Sequence, residues 1–261
     1  MNKAVGIIPA RWGSTRFPGK PLHPIAGKPL LKHVWERCQR AKRLDLVVIA
    51  TDDMRIASTA FEWGAEVALT SPKHRSGTNR VAEVALKTNR FEYVINIQGD
   101  EPLIDSRLID KLVEKLRSDR RLKIVTAAHP FENPADAFSP HQVKVVLDCR
   151  GNALYFSRAP IPAPRDDSPT IPASRWRRTH DSLFLRHQGI YGFRRPTLLQ
   201  FVKWKPTPLE RAESLEQLRA LENGVKVHVL ITAAGSPGID TPEDATALEQ
   251  KLTRANRRIR S

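Results

Sequence analysis

Cysteine is scarce in this chain: two in 261 residues, Cys38 and Cys149, more than a hundred positions apart. A disulfide scaffold and a cysteine metal cluster are therefore both excluded, and the pair is expected to be buried free thiols in a reducing compartment. No apolar run is long enough to span a bilayer. The N-terminal "AVGIIPA" is too short for a signal-peptide core and runs directly into Arg11, so the expected location is cytoplasmic, with no membrane partner. Two familiar phosphate loops are also missing. There is no GxGxxG, and the nearest approach to a Walker A loop has five residues between Gly13 and Gly19, with Pro21 after Lys20 instead of a hydroxyl for magnesium. No internal repeat is found. Acidic residues are in deficit, 28 against 43 Lys and Arg, for a formal net charge of +15. That balance favours anionic partners. The charge is spread along the chain, however, without a basic helix or an RNP-type aromatic stretch, so a small polyanion fits better than nucleic acid.

The ordered part reads as an α/β chain. "AVGIIPA", "LDLVVIATD", "AEVALT" and "YVINIQGD" are short strand patterns. They alternate with helical patterns in "PLLKHVWERCQRAK", "DMRIASTAFEWG" (closed by Gly64), "GTNRVAEVALKT" and "DSRLIDKLVEKLRS", the last opening at Asp105 or Ser106. This rhythm predicts an open, mainly parallel Rossmann-like sheet with ligands at the carboxyl ends of the strands. Beyond about residue 125 the rhythm breaks. "KVVLD" and "ALYFSR" form a hairpin pattern around "CRGN", "GIYGFR" is another strand, and a Pro- and Arg-rich stretch over about 160–182 reads as an insertion or surface loop. "SLEQLRALENG" predicts a helix ending at Gly224, "VKVHVLIT" a late strand, and "GIDTPEDATALEQKL" a helix capped by Thr241 with Pro242 in its first turn. The expected organisation is a single domain over 1–261 with an inserted antiparallel lobe at roughly 130–205.

"VGIIPARWGSTRFPGKPL" places a cationic loop directly after the first strand. Backbone N–H groups near Gly13, Ser14 and Thr15, with Arg11, Arg16 and Lys20, suit a triphosphate whose departing pyrophosphate gains charge. A basic surface turn is the alternative. "NIQGDEPLI" sets Asp100 just past a strand, and "GSPGIDTPED" sets Asp240 before a helix. Either alone reads as a turn or cap residue, whereas together they offer hard oxygen ligands for magnesium beside phosphate.

"IIPARWGSTRFPGKPL", "HRSGTNRVAEV", "NIQGDEPLI", "ALYFSRAPIP", "RHQGIYGF", "PLERAESLEQLRALENG" and "GIDTPED", in this order, resemble the 3-deoxy-D-manno-octulosonate (Kdo) cytidylyltransferases along nearly the whole chain. The resemblance implies an α/β nucleotidyltransferase fold, a homodimer, CTP and Kdo as substrates, Mg²⁺ as cofactor and a place in bacterial lipopolysaccharide synthesis. It also implies site roles. Arg11, Ser14, Arg16 and Lys20 correspond to the CTP loop, and Arg75, Ser76, Gly77 and Arg80 to the cytidine segment. Gln98 lies near both substrates, Asp100 and Asp240 are metal ligands, and Lys20, Asp100 and Asp240 are the catalytic set. Arg158, His187, Tyr191, Glu216 and Gln217 resemble the residues that hold the sugar acid. An amino-sugar analogue of Kdo or a phosphonate is the alternative acceptor, and a basic nucleic-acid-binding protein the alternative of another class.

Overall fold

The computed structural model describes residues 2–13, 16–163 and 184–260. The expected insertion over 160–182 and Ser14 thus lie wholly or mostly outside the described residues. Two compact units emerge, one from residues 1–114 with 236–261 and the other from 115–235. The expected lobe at 130–205 falls within the second unit.

In the first unit, β1 (Ala4–Ala10), β4 (Leu46–Thr51), β5 (Glu66–Leu69) and β6 (Tyr93–Asn96) form a parallel sheet. β4 and β6 flank β1, and β5 pairs with β4. The strand residues are buried on both faces of β1 and β6, which is why those segments read as continuous apolar runs instead of alternating ones. The helices are α1 (Leu30–Cys38), α2 (Met54–Glu62), α3 (Gly77–Lys87), α4 (Ser106–Ser118) and the C-terminal Pro242–Arg260. Asp53 caps α2 by accepting from the Arg55 N–H, Asp105 accepts from the Arg107 N–H at the start of α4, and Gly64 ends α2 with φ 77°. A two-residue pairing of β2 (Pro24–Ile25) with β3 (Lys28–Pro29), turned by Ala26 and Gly27 at positive φ, was not expected.

The chain moves from β1 outward through β4 to β5, then crosses back to β6 on the other side of β1. Strand order therefore reverses between β1 and β6, and the crevice beyond their carboxyl ends is where such sheets bind ligands.

In the second unit, β7 (Ile124–Pro130) lies between β11 (Val227–Ile231), parallel to it, and β10 (Leu185–Arg194), antiparallel. β8 (Lys144–Leu147) and β9 (Ala153–Ser157) make the expected hairpin, and β8 also pairs with β10. Helices α5 (Arg195–Phe201), α6 (Pro208–Glu213) and α7 (Leu218–Glu222) follow β10. The expected helix over "SLEQLRALENG" is shorter than its sequence pattern. Ser214 takes a left-handed conformation with φ 52°, and the chain turns once more before α7 begins at Leu218, so Glu216 and Gln217 precede the helix. The expectation of two buried thiols also needs correction. Cys38 is buried in α1, where desolvation raises its thiol pKa, but Cys149 is exposed at the hairpin turn.

Candidate active site

In the first unit a cavity of about 440 Å³ opens at the β1/β6 reversal. β1 supplies Pro9 and Ala10, the following loop Arg11, Arg16 and Lys20, and the segment after β6 Gln98, Gly99 and Asp100. Arg75, Ser76, Gly77 and Arg80 line it from the start of α3, and Asp240 from the approach to the C-terminal helix. All the expected nucleotide and metal residues that the structure describes therefore meet in one place.

Local chemistry explains how they arrive. Gly99 allows the ends of β1 and β6 to approach, since a Cβ there would lie 2.9 Å from the Pro9 carbonyl oxygen. At the base of the cationic loop, the Gly19 N–H donates to the Trp12 carbonyl at 3.2 Å, with Gly19 at φ 72° against the Trp12 ring. Trp12 in turn lies under the Arg55 guanidinium, 3.6 Å from its centre, and Arg55 is held by Asp53. Phe17, Ile25 and Leu30 pack with Ile239, Ala245 and Leu248 in an apolar cluster that brings the C-terminal helix against the loop. The Ile239 N–H donates to the Asp100 carbonyl at 2.9 Å, and Asp244 accepts from the N–H groups of Asp240 and Thr241, fixing the turn that carries Asp240.

Lys20 is the centre of the arrangement. Its ammonium donates to Asp100 Oδ2 at 2.6 Å and to the Ile239 carbonyl at 2.8 Å, and stands 3.5 Å from Asp240 Oδ1. Arg16 reaches the same Asp240 oxygen at 3.4 Å. Two carboxylates and a carbonyl thus converge on one positive charge. Such a set of hard oxygens fits Mg²⁺, which takes one or two carboxylates and fills its octahedron with water and phosphate. Among the described residues no three His, Cys, Asp or Glu side chains form an all-protein cage.

Around the α3 terminus, Ser76 accepts from the Asn79 N–H at 3.2 Å, leaving the helix's positive end at the cavity wall. Arg80 is buried, with its guanidinium 3.1 Å from Asp52 and bonded to Thr70, so it stiffens the wall as well as lining it. His74 also lines the cavity, a role the sequence did not reveal although the residue stands in "HRSGTNR". Its Nε2 is 2.6 Å from Glu83. Hydrogen bonds, chiefly from Lys87, hold the Glu83 pKa down at about 2.

Of the residues expected to meet the sugar, Gln98 lines the first unit's cavity and the other five lie in the second unit. The His187 ring packs edge-on against Phe156 at 4.9 Å and beside Tyr191 at 5.4 Å. Desolvation pushes the His187 pKa down to about 3, so the ring is neutral at ordinary pH. The Tyr191 pKa is raised by burial and by the charge of nearby Glu216. Tyr191 thus stands beside His187 and within the field of Glu216. Gln217 is buried at the start of α7. Arg158 is anchored through its own backbone and side chain: its N–H donates to Glu213 Oε2 at 2.9 Å, Nε to the Glu213 carbonyl at 2.8 Å and Nη1 to the Pro140 carbonyl at 3.1 Å.

A parallel sheet with a cation-lined cavity at its reversal point and a paired-carboxylate centre defines the nucleotidyltransferase class. A cytidylyltransferase family profile matches residues 5–227. A 3-deoxy-manno-octulosonate cytidylyltransferase of Syntrophobacter fumaroxidans is 48% identical over 248 residues, spanning 94% of this chain and 95% of its own. The protein of the same name from Marinobacter nauticus is 46% identical over 97% of this chain and 98% of its own. This chain belongs to the 3-deoxy-manno-octulosonate cytidylyltransferase family. A solved structure of CMP:2-keto-3-deoxy-manno-octonic acid synthetase complexed with CTP superimposes with TM-score 0.89 at 38% identity, covering 97% of this chain and 100% of the other. 4-diphosphocytidyl-2C-methyl-D-erythritol synthase from Anaerococcus prevotii, at TM-score 0.62 and 15% identity, shares the fold alone.

Proposed function

We propose that this chain transfers a cytidylyl group from CTP to Kdo, giving CMP-Kdo and pyrophosphate for lipopolysaccharide synthesis. The observation that carries this reading is the cavity in which Arg11, Arg16, Lys20 and Arg75 surround Asp100 and Asp240. The cations suit the triphosphate, and the α3 N-terminus with Ser76 and Gly77 offers further donors to its oxygens.

The anomeric hydroxyl of the sugar attacks the α-phosphorus in line, losing its proton to solvent, and its oxygen forms the new P–O bond as the bond to the β-phosphate breaks. Negative charge moves onto the departing pyrophosphate, where Arg11, Arg16 and Lys20 stabilise it. Asp100 and Asp240 would hold Mg²⁺, with the Ile239 carbonyl adjacent. When bound, that ion supplies positive charge beside the α-phosphate and lowers the pKa of a coordinated hydroxyl. No covalent enzyme intermediate is needed. Gln98, which lines the same cavity, is assigned to substrate contact on the family resemblance. For the acceptor, neutral His187, the Tyr191 hydroxyl, Glu216 and Gln217 suit a polyhydroxylated ring, and Arg158 suits its carboxylate.

Homodimerisation and a cytoplasmic location belong to the same reading. The first rests on the family resemblance and is checked by light scattering, and the second on the sequence features given above. Among the described residues no helix is long and apolar enough to cross a membrane.

The reading is tested by pyrophosphate release with CTP, UTP, ATP or GTP, each with and without Kdo. Release that requires both CTP and Kdo is expected. Equal release with the other nucleotides, or release without the sugar, overturns the assignment.

A further inference from the structure

Thr126 lies on β7, wholly buried, opposite the point where the β10 ladder is interrupted between Gln188 and Tyr191. Three groups surround its one hydroxyl: the Ile190 carbonyl at 2.7 Å, the Gln188 carbonyl at 3.2 Å and His187 Nε2 at 3.0 Å. A hydroxyl has a single proton to donate. Both carbonyls can only accept, and the nearer one stands at the shorter, stronger distance. The Thr126 proton therefore goes to the bulge carbonyl. His187 Nε2 must then bring its own hydrogen and donate it to Thr126 Oγ1.

We propose that Thr126 is a positioning residue that fixes His187 as the Nε2–H tautomer and so presents Nδ1 as a hydrogen-bond acceptor for a hydroxyl of the acceptor sugar. The inference rests on the acceptor assignment made above. No described group donates to Nδ1, and the ring is held in place by Phe156 and Tyr191. A lone-pair acceptor at Nδ1 selects a hydroxyl donor and disfavours a carboxylate, which would face the lone pair with one of its own. The acid end of the sugar is thereby directed away from His187, and the bulge and the tautomer are set by the same hydroxyl.

The direct test is long-range ¹H–¹⁵N correlation NMR on the wild-type protein, with the His187 signals assigned through His187→Gln. The expected result is a protonated Nε2 and an unprotonated Nδ1. A protonated Nδ1 overturns the proposal, whether or not any Thr126 variant folds. Kinetics supply the second readout. Thr126→Val is expected to mix the tautomers and raise the sugar KM about fivefold to tenfold, while the CTP KM stays within about twofold. Thr126→Ser is expected to restore both the tautomer and the sugar KM. An unchanged sugar KM in folded Thr126→Val, or equal rises for both substrates, overturns the positioning role. An unchanged sugar KM in His187→Ala removes the acceptor assignment itself. The tautomer measured in the wild type separates that failure from an error about Thr126.

Discussion

At the scale of single residues, Lys20 joins groups that no reading of local sequence would have paired. It lies 80 positions from Asp100 and 220 from Asp240, yet its ammonium touches both. The cation and the carboxylates were legible separately, from a basic loop after a strand and two acids at turns. Their convergence was expected only by pairing distant motifs and from the family resemblance, because it depends on the Phe17 and Ile239 packing that closes the C-terminal helix over the loop. Asp100→Asn and Asp240→Asn are each expected to lower kcat/KM at least about a hundredfold by removing an anionic ligand from magnesium. Both carboxylates are partly solvated, so the unfolding free energy should move by no more than about 1 kcal/mol. Steady-state kinetics paired with urea unfolding checks this, and a variant that melts early but keeps full specific activity would show a structural role. His74 gave no sign of its place in the cavity, because a histidine heading the motif has no charge or conformational signal of its own. Thr126 was illegible for another reason: the strand that carries it was not recognisable as one.

That strand, "IVTAAHP", shows what limits the reading of elements. Its β-branched residues are confined to the first three positions, and two adjacent alanines, a histidine and a proline follow, so the pattern does not mark it as a strand until β10 and β11 cover its edges. The parallel strands of the first unit, rich in Val and Ile, were legible because burial on both faces leaves a continuous apolar run. The helix pattern in "SLEQLRALENG" failed in the opposite direction. Leu215 and Leu218 have helical spacing, but Leu215 is buried from the turn that follows Ser214. What fixes that turn is a buried pair: Arg219 of α7 donates through Nε at 2.8 Å, and through Nη2, to Glu210 of α6. Glu210 also accepts from the Thr207 N–H to complete a capping box. Glu210→Gln keeps volume and cap but leaves Arg219 without its principal counter-charge, at an expected cost of about 3 kcal/mol. Urea denaturation at neutral pH measures it. A loss below about 0.5 kcal/mol would mean that Glu216, 3.5 Å from Arg219, takes over the pairing.

For the molecule as a whole, pH enters through its desolvated histidines. His187 is held at about 3 against an ordinary 6.5, and desolvation also lowers His129 and His228. The unfolded chain takes up these protons near the ordinary value, whereas the folded chain refuses them until lower pH. Unfolding therefore binds protons, and stability is highest above about 6.5 and falls as pH drops toward 3. Glu83 acts in a lower window, its contribution being lost only as pH falls from 4.5 toward 2. The urea midpoint is expected to decline between about pH 7 and about pH 5, with a shallower slope in His187→Gln. Parallel slopes would mean that the His187 ring is protonated in the fold. The central claim concerns the reaction, and ³¹P NMR of the enzyme with CTP, Kdo and Mg²⁺ tests it most directly. One new phosphodiester resonance, growing in equal amount with pyrophosphate as CTP disappears, is the expected result, with Kdo consumed ahead of its 8-amino analogue in competition. Preferential use of the amino sugar would change the acceptor, and formation of CDP, or of CMP with no sugar phosphodiester, would contradict cytidylyl transfer itself.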